Sequence, residues 1–301
     1  MPKLHVNGTT LEYRAQGSGQ PLVLVHGSAS DYRTWRGQRR AFAARYHVVA
    51  YSRRYHWPNA AISTGADYSM NEHLDDLQAL LHALQIVPAH LVGHSYGAFL
   101  ALLLAMRQPS LVRTLVLAEP PVLTLFVSNT PRPTEILKLL VTRPRTAVAI
   151  VKFGAGGFAP ARAAAQRGDL EAAMRVFGNA VLGRDAYRRL SGPRLEEVHA
   201  NAFQAEFLGS GFLPLDADQI RRVQAPTLLI TAPHSPRLFA CLTQRLAELL
   251  PNAQRLEIAG ASHLMHEDNP LAYNDAVLSF LANHPQAGHA PDSPEIRTPS
   301  I

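Results

Sequence analysis

Short runs of consecutive apolar residues alternate with longer segments of helical period along most of this chain. Residues 4–14 alternate apolar and polar positions on either side of Asn7-Gly8, which predicts a hairpin because that dipeptide accepts the positive φ angles of a primed turn. Residues 21–25 and 46–50 are largely apolar runs and predict parallel strands covered on both faces, with a helix over 32–45 between them. From Ser69 the period changes: Leu74, Leu77, Leu80, Leu81 and Leu84 share one helix face. Ser69 followed by Glu72 predicts a capping box, and Pro88 the helix stop. A strand over 90–92, an apolar helix over 98–106 and a strand over 115–118 follow. Near the C-terminus, runs at 227–230 and 255–258 read as strands around a helix over 236–250. Asn269-Pro270 then opens a last helix to about Ala282, with Asn as cap and Pro in the first turn.

Strands alternating with helices of this length predict an α/β fold with a mostly parallel sheet and helices on both faces. Residues 122–222 break the alternation. They are rich in Ala and Arg, contain no convincing strand, and are interrupted by Pro131, Pro133, Pro144, Gly154, Gly156 and Pro193. The expected organisation is therefore a core of 1–121 and 223–284, with 122–222 inserted as a helical cap or lid. Residues 285–301 carry four prolines among small polar residues and read as a flexible tail.

Composition narrows the classes. With 47% hydrophobic and 17% charged residues the chain matches a globular protein and not a disordered one. No run of 18 apolar residues and no secretory leader pattern is present, and a single cysteine, Cys241, fits a reducing compartment, so a cytoplasmic location without membrane attachment is expected. The net charge of +6 comes from scattered arginines with no basic stripe interleaved with aromatics, which argues against nucleic-acid binding. Nothing in the pattern speaks to the oligomeric state.

Candidate chemistry centres on Gly93-His94-Ser95-Tyr96-Gly97, placed between an apolar run and an apolar helix. A sharp strand–turn–helix with small residues two before and two after Ser95 pushes its hydroxyl out above the sheet as a nucleophile; the plainer alternative is a glycine-rich packing turn. A serine needs a base, and His263, in Gly260-Ala261-Ser262-His263 before the last helix, is the candidate. His266 reads as a surface histidine beside Glu267 and Asp268, and His94 as a packing residue; no third ligand accompanies His263-x-x-His266, so neither metal nor cofactor is expected. An acid must hold the imidazole, yet residues 232–235 read Ala-Pro-His-Ser and no Asp or Glu occurs from Gln219 until Glu248. Glu119, in Leu117-Ala118-Glu119-Pro120-Pro121, is the candidate instead; otherwise it is a solvated strand-end carboxylate and the acid lies elsewhere. Oxyanion donors are expected from the amides of Tyr96 and of Ser28, with Ala29 next, unless His26-Gly27 is a plain strand-end turn. Trp57 and Tyr55 either face the cleft and bind substrate or pack; Arg53 and Arg54 either contact a polar substrate group or lie exposed. Phe126, Phe153, Phe158, Phe177, Tyr187, Phe203 and Phe207 are candidate cap residues over the site.

Together, His26-Gly27, the turn at Ser95, Glu119-Pro120-Pro121, the 232–235 loop and 260–263 through Asn269-Pro270 resemble the α/β-hydrolase superfamily over about residues 4–285. The chain is most similar to its cap-bearing serine esterases and hydrolases. That resemblance implies the α/β-hydrolase fold, with a mostly parallel eight-stranded sheet, helices on both faces, a helical cap insertion, and the chain order nucleophile, acid, histidine. An acid after the sixth strand is similar to the placement in haloalkane dehalogenases. Those enzymes and epoxide hydrolases use an aspartate nucleophile, and an alkyl group transferred to Ser95 would be a stable ether, which argues against both. Tyr51-Ser52-Arg53-Arg54-Tyr55-His56-Trp57-Pro58 departs from the superfamily's Asp-x-Arg-Gly loop. It is similar to a subset of serine esterases that includes enzymes opening the ring ester of macrolide antibiotics, which implies a lactone substrate and antibiotic resistance. The expectation is thus a carboxylic ester hydrolase acting on a small-molecule ester or lactone through an acyl-enzyme. The same Ser95 and His263 would also serve a carbon–carbon bond hydrolase, a perhydrolase or a lyase, or remain in a slow-turnover binding protein or receptor.

Overall fold

A computed structural model describes residues 2–63, 65–201 and 204–284. Its eight strands are β1 (Lys3–Val6), β2 (Thr9–Gln16), β3 (Gln20–Val25), β4 (Tyr46–Tyr51), β5 (Ala89–His94), β6 (Val112–Ala118), β7 (Thr227–Thr231) and β8 (Ala253–Glu257). They form one sheet in the order β1-β2-β4-β3-β5-β6-β7-β8. β1 and β2 pair antiparallel through the Asn7-Gly8 turn, where both residues have positive φ, and β2 pairs antiparallel with β4; every other pairing is parallel. The apolar runs have a physical reason to be unbroken. Leu22 and Leu24 of β3 face one layer, Val23 and Val25 the other, and all four are fully buried. Each such side chain contributes about 1.5–3 kcal/mol of transfer free energy, so polar alternation is not tolerated.

Helices α1 (Arg36–Ala43), α2 (Met70–Ala83) and α3 (Tyr96–Arg107) follow β3, the β4 loop and β5. Two expectations about α2 fail for local reasons. Ser69 is the N-cap residue but its side chain makes no capping bond, and the Glu72 carboxylate instead accepts from Arg54 Nη1 at 2.6 Å. The helix also ends without Pro88: Gln85 turns left-handed at φ 55°, while Gln85 N–H and Ile86 N–H donate back to His82 and Leu81 carbonyls. Pro88 precedes β5.

Between β6 and β7 the described residues form helices and no strand, among them Pro133–Thr142, Pro144–Phe153, Ala159–Gln166, Leu170–Leu182 and Gly192–His199. Pro144–Phe153 packs on the core helix Arg237–Leu249. A separate apolar cluster of this insertion, including Ala161, Ala165, Met174 and Phe207, closes over Ala29 of the core. The final helix, Pro270–Ala282, is capped by Asn269, whose side chain accepts from Ala272 N–H. The expected tail at 285–301 lies outside the described residues.

Both glycines of the Ser95 turn are required by close backbone approach. A Cβ on Gly97 would fall onto the carbonyls of Val25 and His26, and one on Gly93 would come within 2.5 Å of Ala98 Cα. Gly97→Ala is expected to lower stability by about 3 kcal/mol or more, because backbone must move to admit the methyl group. Urea denaturation followed by circular dichroism measures this, and a wild-type midpoint would contradict the close approach.

Candidate active site

Ser95 sits between β5 and α3 at φ 50°, ψ −120°, a conformation that costs free energy for a non-glycine residue and persists only where its surroundings enforce it. The enforcement is visible: Ser95 N–H donates to Ala118 O at 2.8 Å, while its carbonyl accepts from Ala98 and Phe99 at the start of α3. The hydroxyl therefore stands at the positive end of a twelve-residue helix. Gly27 completes the fit, since a Cβ there would lie 3.2 Å from Ser95 Cβ.

His263 and Glu119 meet at the end of β6. His263 Nδ1–H donates to Glu119 Oε2 at 2.6 Å, and both side chains are buried. Glu119 is itself held at φ 46° at the end of β6. Its Oε1 accepts from Ala232 N–H at 3.0 Å, and its Oε2 also accepts from the Ser235 hydroxyl at 2.8 Å. Ser235 thus occupies the loop where an acid was expected and serves the displaced acid as a donor. Three donors converge on one carboxyl group. Burial pushes that carboxyl up from its ordinary value, while the Ser235 hydroxyl and Ala232 amide pull it back. Burial also holds the His263 imidazole well below its ordinary value, so it rests neutral, as a base must. Its face stacks on Phe239 at 4.0 Å between centroids, which fixes the ring plane. Its Nε2 has no hydrogen-bond partner among the described residues. Ser95 and His263 line the same small cavity of about 70 Å³, which leaves Nε2 free to receive a proton.

Neighbouring residues position this pair. His94 Nε2–H donates to the His263 carbonyl at 2.8 Å, so the elbow residue expected only to pack also braces the loop of the base. Asp268 accepts from both Ser262 N–H and Ser262 Oγ at the base of the same loop. On the other side, Ser28 and Tyr96 line a larger cavity with Ser95. Tyr96 is the first residue of α3, so its amide has no helical acceptor. This cavity measures about 590 Å³ and is walled mainly by apolar side chains, including Leu123, Ile150, Phe153, Phe158, Phe177 and Phe207. Its charged lining residues are Arg162, which is exposed, and Glu206.

Several sequence expectations are corrected by this geometry. Trp57 does not line either cavity at Ser95: its ring packs near Tyr32 and under the Arg33 guanidinium at 3.7 Å. Tyr55 likewise turns away, toward Tyr68, His73 and Glu72. Arg54 is neither exposed nor at the cavity, because Asp76 and Glu72 hold its guanidinium. His266 is buried against Trp35 and bonded to Thr34, although its acidic neighbours suggested a surface residue. Of the other candidate cap residues, Phe126 packs on the core, Tyr187 lines the smaller cavity, and Phe203 lies outside the described residues. The residue missed altogether is Glu206, whose Oε2 accepts from Ala29 N–H at 3.4 Å across 177 positions of chain. Among the described residues no group of three or more His, Cys, Asp or Glu is placed to hold a metal, and no helix is long and apolar enough to cross a membrane.

Known proteins resemble the chain over nearly its whole length. It is 24% identical to (E)-2-((N-methylformamido)methylene)succinate hydrolase of Acinetobacter baylyi, covering 93% of this chain and 97% of the relative. It is 26% identical to the putative carbamate hydrolase RutD of Pantoea ananatis, over 91% and 92% of the two chains. The solved structure of carboxylesterase CesB from Bacillus subtilis superposes with a TM-score of 0.67 at 20% identity, covering 93% of this chain and 90% of that one, which speaks to the fold. Residues 22–276 match the profile of the alpha/beta hydrolase family, a span that contains Ser95, Glu119 and His263. The chain belongs to the alpha/beta hydrolase family.

Proposed function

We propose that the chain is a serine hydrolase of carboxylic esters or lactones that works through an acyl-enzyme on Ser95. The observation that carries this reading is the 2.6 Å Glu119–His263 bond, which leaves a neutral Nε2 unpartnered in a loop that lines one small cavity with Ser95, itself held on a strained elbow. His263 takes the Ser95 proton as the oxygen attacks the carbonyl carbon, and Glu119 steadies the imidazolium that forms. The oxyanion is met by the amides of Tyr96 and Ser28. His263 then protonates the leaving alcohol, and water releases the acyl group by the reverse relay.

The helical insertion acts as the lid that sets substrate size. A mainly apolar cavity of about 590 Å³ suits a drug-sized ester or lactone. A dicarboxylate such as the substrate named for the Acinetobacter relative is a poorer match, because the lining offers one exposed cation and one carboxylate. Fluorophosphonate labelling with peptide mapping tests the nucleophile. A panel of p-nitrophenyl esters of increasing chain length, small lactones, a macrocyclic lactone and a vinylogous diketone tests the reaction. Labelling at Ser95 with ester or lactone turnover is expected; no labelling, or turnover of the diketone alone, would reject the reading.

A further inference from the structure

We propose that Arg53 is a positioning residue that braces both halves of the oxyanion hole from behind. This rests on the serine hydrolase reading above and adds a part to its machinery. Arg53 follows β4 and is 1% exposed, so its guanidinium is fully inside the protein. Its Nη2 donates to Gly27 O at 3.0 Å. That carbonyl and the Ser28 N–H belong to one planar trans peptide and point in opposite directions. A donor that fixes the Gly27 oxygen therefore fixes where the Ser28 amide aims. His26 reinforces the same point, for its Nδ1–H also donates to Gly27 O and its Nε2 accepts from Arg53 N–H.

The other half is touched by the same side chain. The Arg53 guanidinium carbon stands 4.4 Å from the centroid of the Tyr96 ring, a cation–π distance. Tyr96 carries the second amide. Nη1 donates to Tyr68 Oη at 2.7 Å, which prevents the guanidinium from rotating out of this plane.

What makes the arrangement functional is its cost. Among the described residues Arg53 has no carboxylate at ion-pair distance, and its Nε has no partner. Arg54, one residue on, shows the ordinary structural solution, with Asp76 and Glu72 both closing on it at 2.6 Å. A buried cation without such a partner is expensive. Here it lies behind the loop toward which the substrate's carbonyl oxygen becomes negative. The carboxyl group that shares this region is Glu206 of the insertion, which offsets part of the Arg53 charge through space without forming an ion pair and holds the next amide of the loop, Ala29 N–H.

The test uses the full-length protein, with turnover expressed per serine titrated by a fluorophosphonate so that misfolded molecules drop out. Arg53→Met is expected to lower kcat per titrated site on the order of a hundredfold with KM within threefold. Affinity for a trifluoromethyl ketone, which forms a tetrahedral oxyanion on the serine, is expected to fall in parallel, while affinity for the corresponding methyl ketone is unchanged. A purely structural role would lower the melting temperature or the titratable fraction and leave these quantities alone. Arg53→Lys and Tyr68→Phe keep most of the buried volume, and each is expected to lose about tenfold on the same axis. Turnover per titrated serine within threefold of wild type in every folded variant would overturn the proposal. A wild-type protein that does not titrate at Ser95 would instead reject the serine hydrolase reading.

Discussion

Ser95→Ala is expected to lower kcat by on the order of 10⁴ to 10⁶ and to abolish fluorophosphonate labelling, with the fold retained. At about 1.4 kcal/mol per decade, this corresponds to some 5–8 kcal/mol of lost transition-state stabilisation. On the proposed mechanism the alanine removes the atom that would form the acyl bond and leaves the cavity, the Glu119–His263 pair and the backbone amides in place. Glu119→Gln separates the acid from the nucleophile. A glutamine keeps the shape, but its amide nitrogen cannot accept from His263 Nδ1–H, so the imidazole proton shifts to Nε2 and the base is lost. A fall of about 10³- to 10⁴-fold is expected, with slow labelling still detectable. Near-normal hydrolysis by either variant in a stopped assay against p-nitrophenyl esters would place the chemistry on other residues.

The second large effect concerns acid. Seven histidines, His26, His56, His73, His90, His94, His263 and His266, are held below their ordinary value by burial. Below about pH 6.5 an unfolded chain protonates them while the folded one does not, so unfolding takes up protons and stability falls as pH falls. Each histidine contributes up to about 1.4 kcal/mol per pH unit below that point. Glu119 and Glu206, both raised by burial, act in the opposite sense between the ordinary carboxylate range and their folded values. They are two groups against seven. The balance predicts that stability falls as pH falls below about 6.5, with net proton uptake on unfolding. Urea denaturation at pH 7.5, 6.5, 5.5 and 4.5 measures the slope. Constant stability between pH 7 and pH 5 would show that the buried rings are protonated in the folded state.

The two halves of the site differed in how far sequence could reveal them. The strands were legible because β3, β4, β5, β6 and β7 are covered on both faces, which leaves runs of apolar residues. Ser95 was legible from steric need, since only small residues fit where Gly93 and Gly97 meet backbone. Glu119 emerged from a gap, the missing acid after β7, and the structure brings it to His263 at 2.6 Å. What sequence concealed depends on tertiary partners. Glu72 looked like a capping residue until Arg54 arrived from another loop to claim it. Trp57 and Tyr55 stood in the right loop, yet a guanidinium and neighbouring rings draw them from the cavity. His266 is buried against an indole and a threonine that also donates to Glu267, which its chain neighbours alone do not reveal. Nothing periodic marks Glu206, which meets Ala29 only through the fold.

The position of Glu119 at the end of β6 keeps it close in the chain to Ser95. Ser95 and Glu119 are carried by one continuous β5–α3–β6 unit, and the insertion begins only after both have been laid down. With the acid after β7, every change in the insertion's length would fall between nucleophile and acid. The residues between β6 and β7 follow both, so on the proposed mechanism a change in their length leaves the Ser95–Glu119 spacing intact and has to preserve only the arrival of His263. On the proposed mechanism, a change confined to the segment between β6 and β7 would reshape the cavity wall and leave the β5–α3–β6 frame of Ser95 and Glu119 untouched.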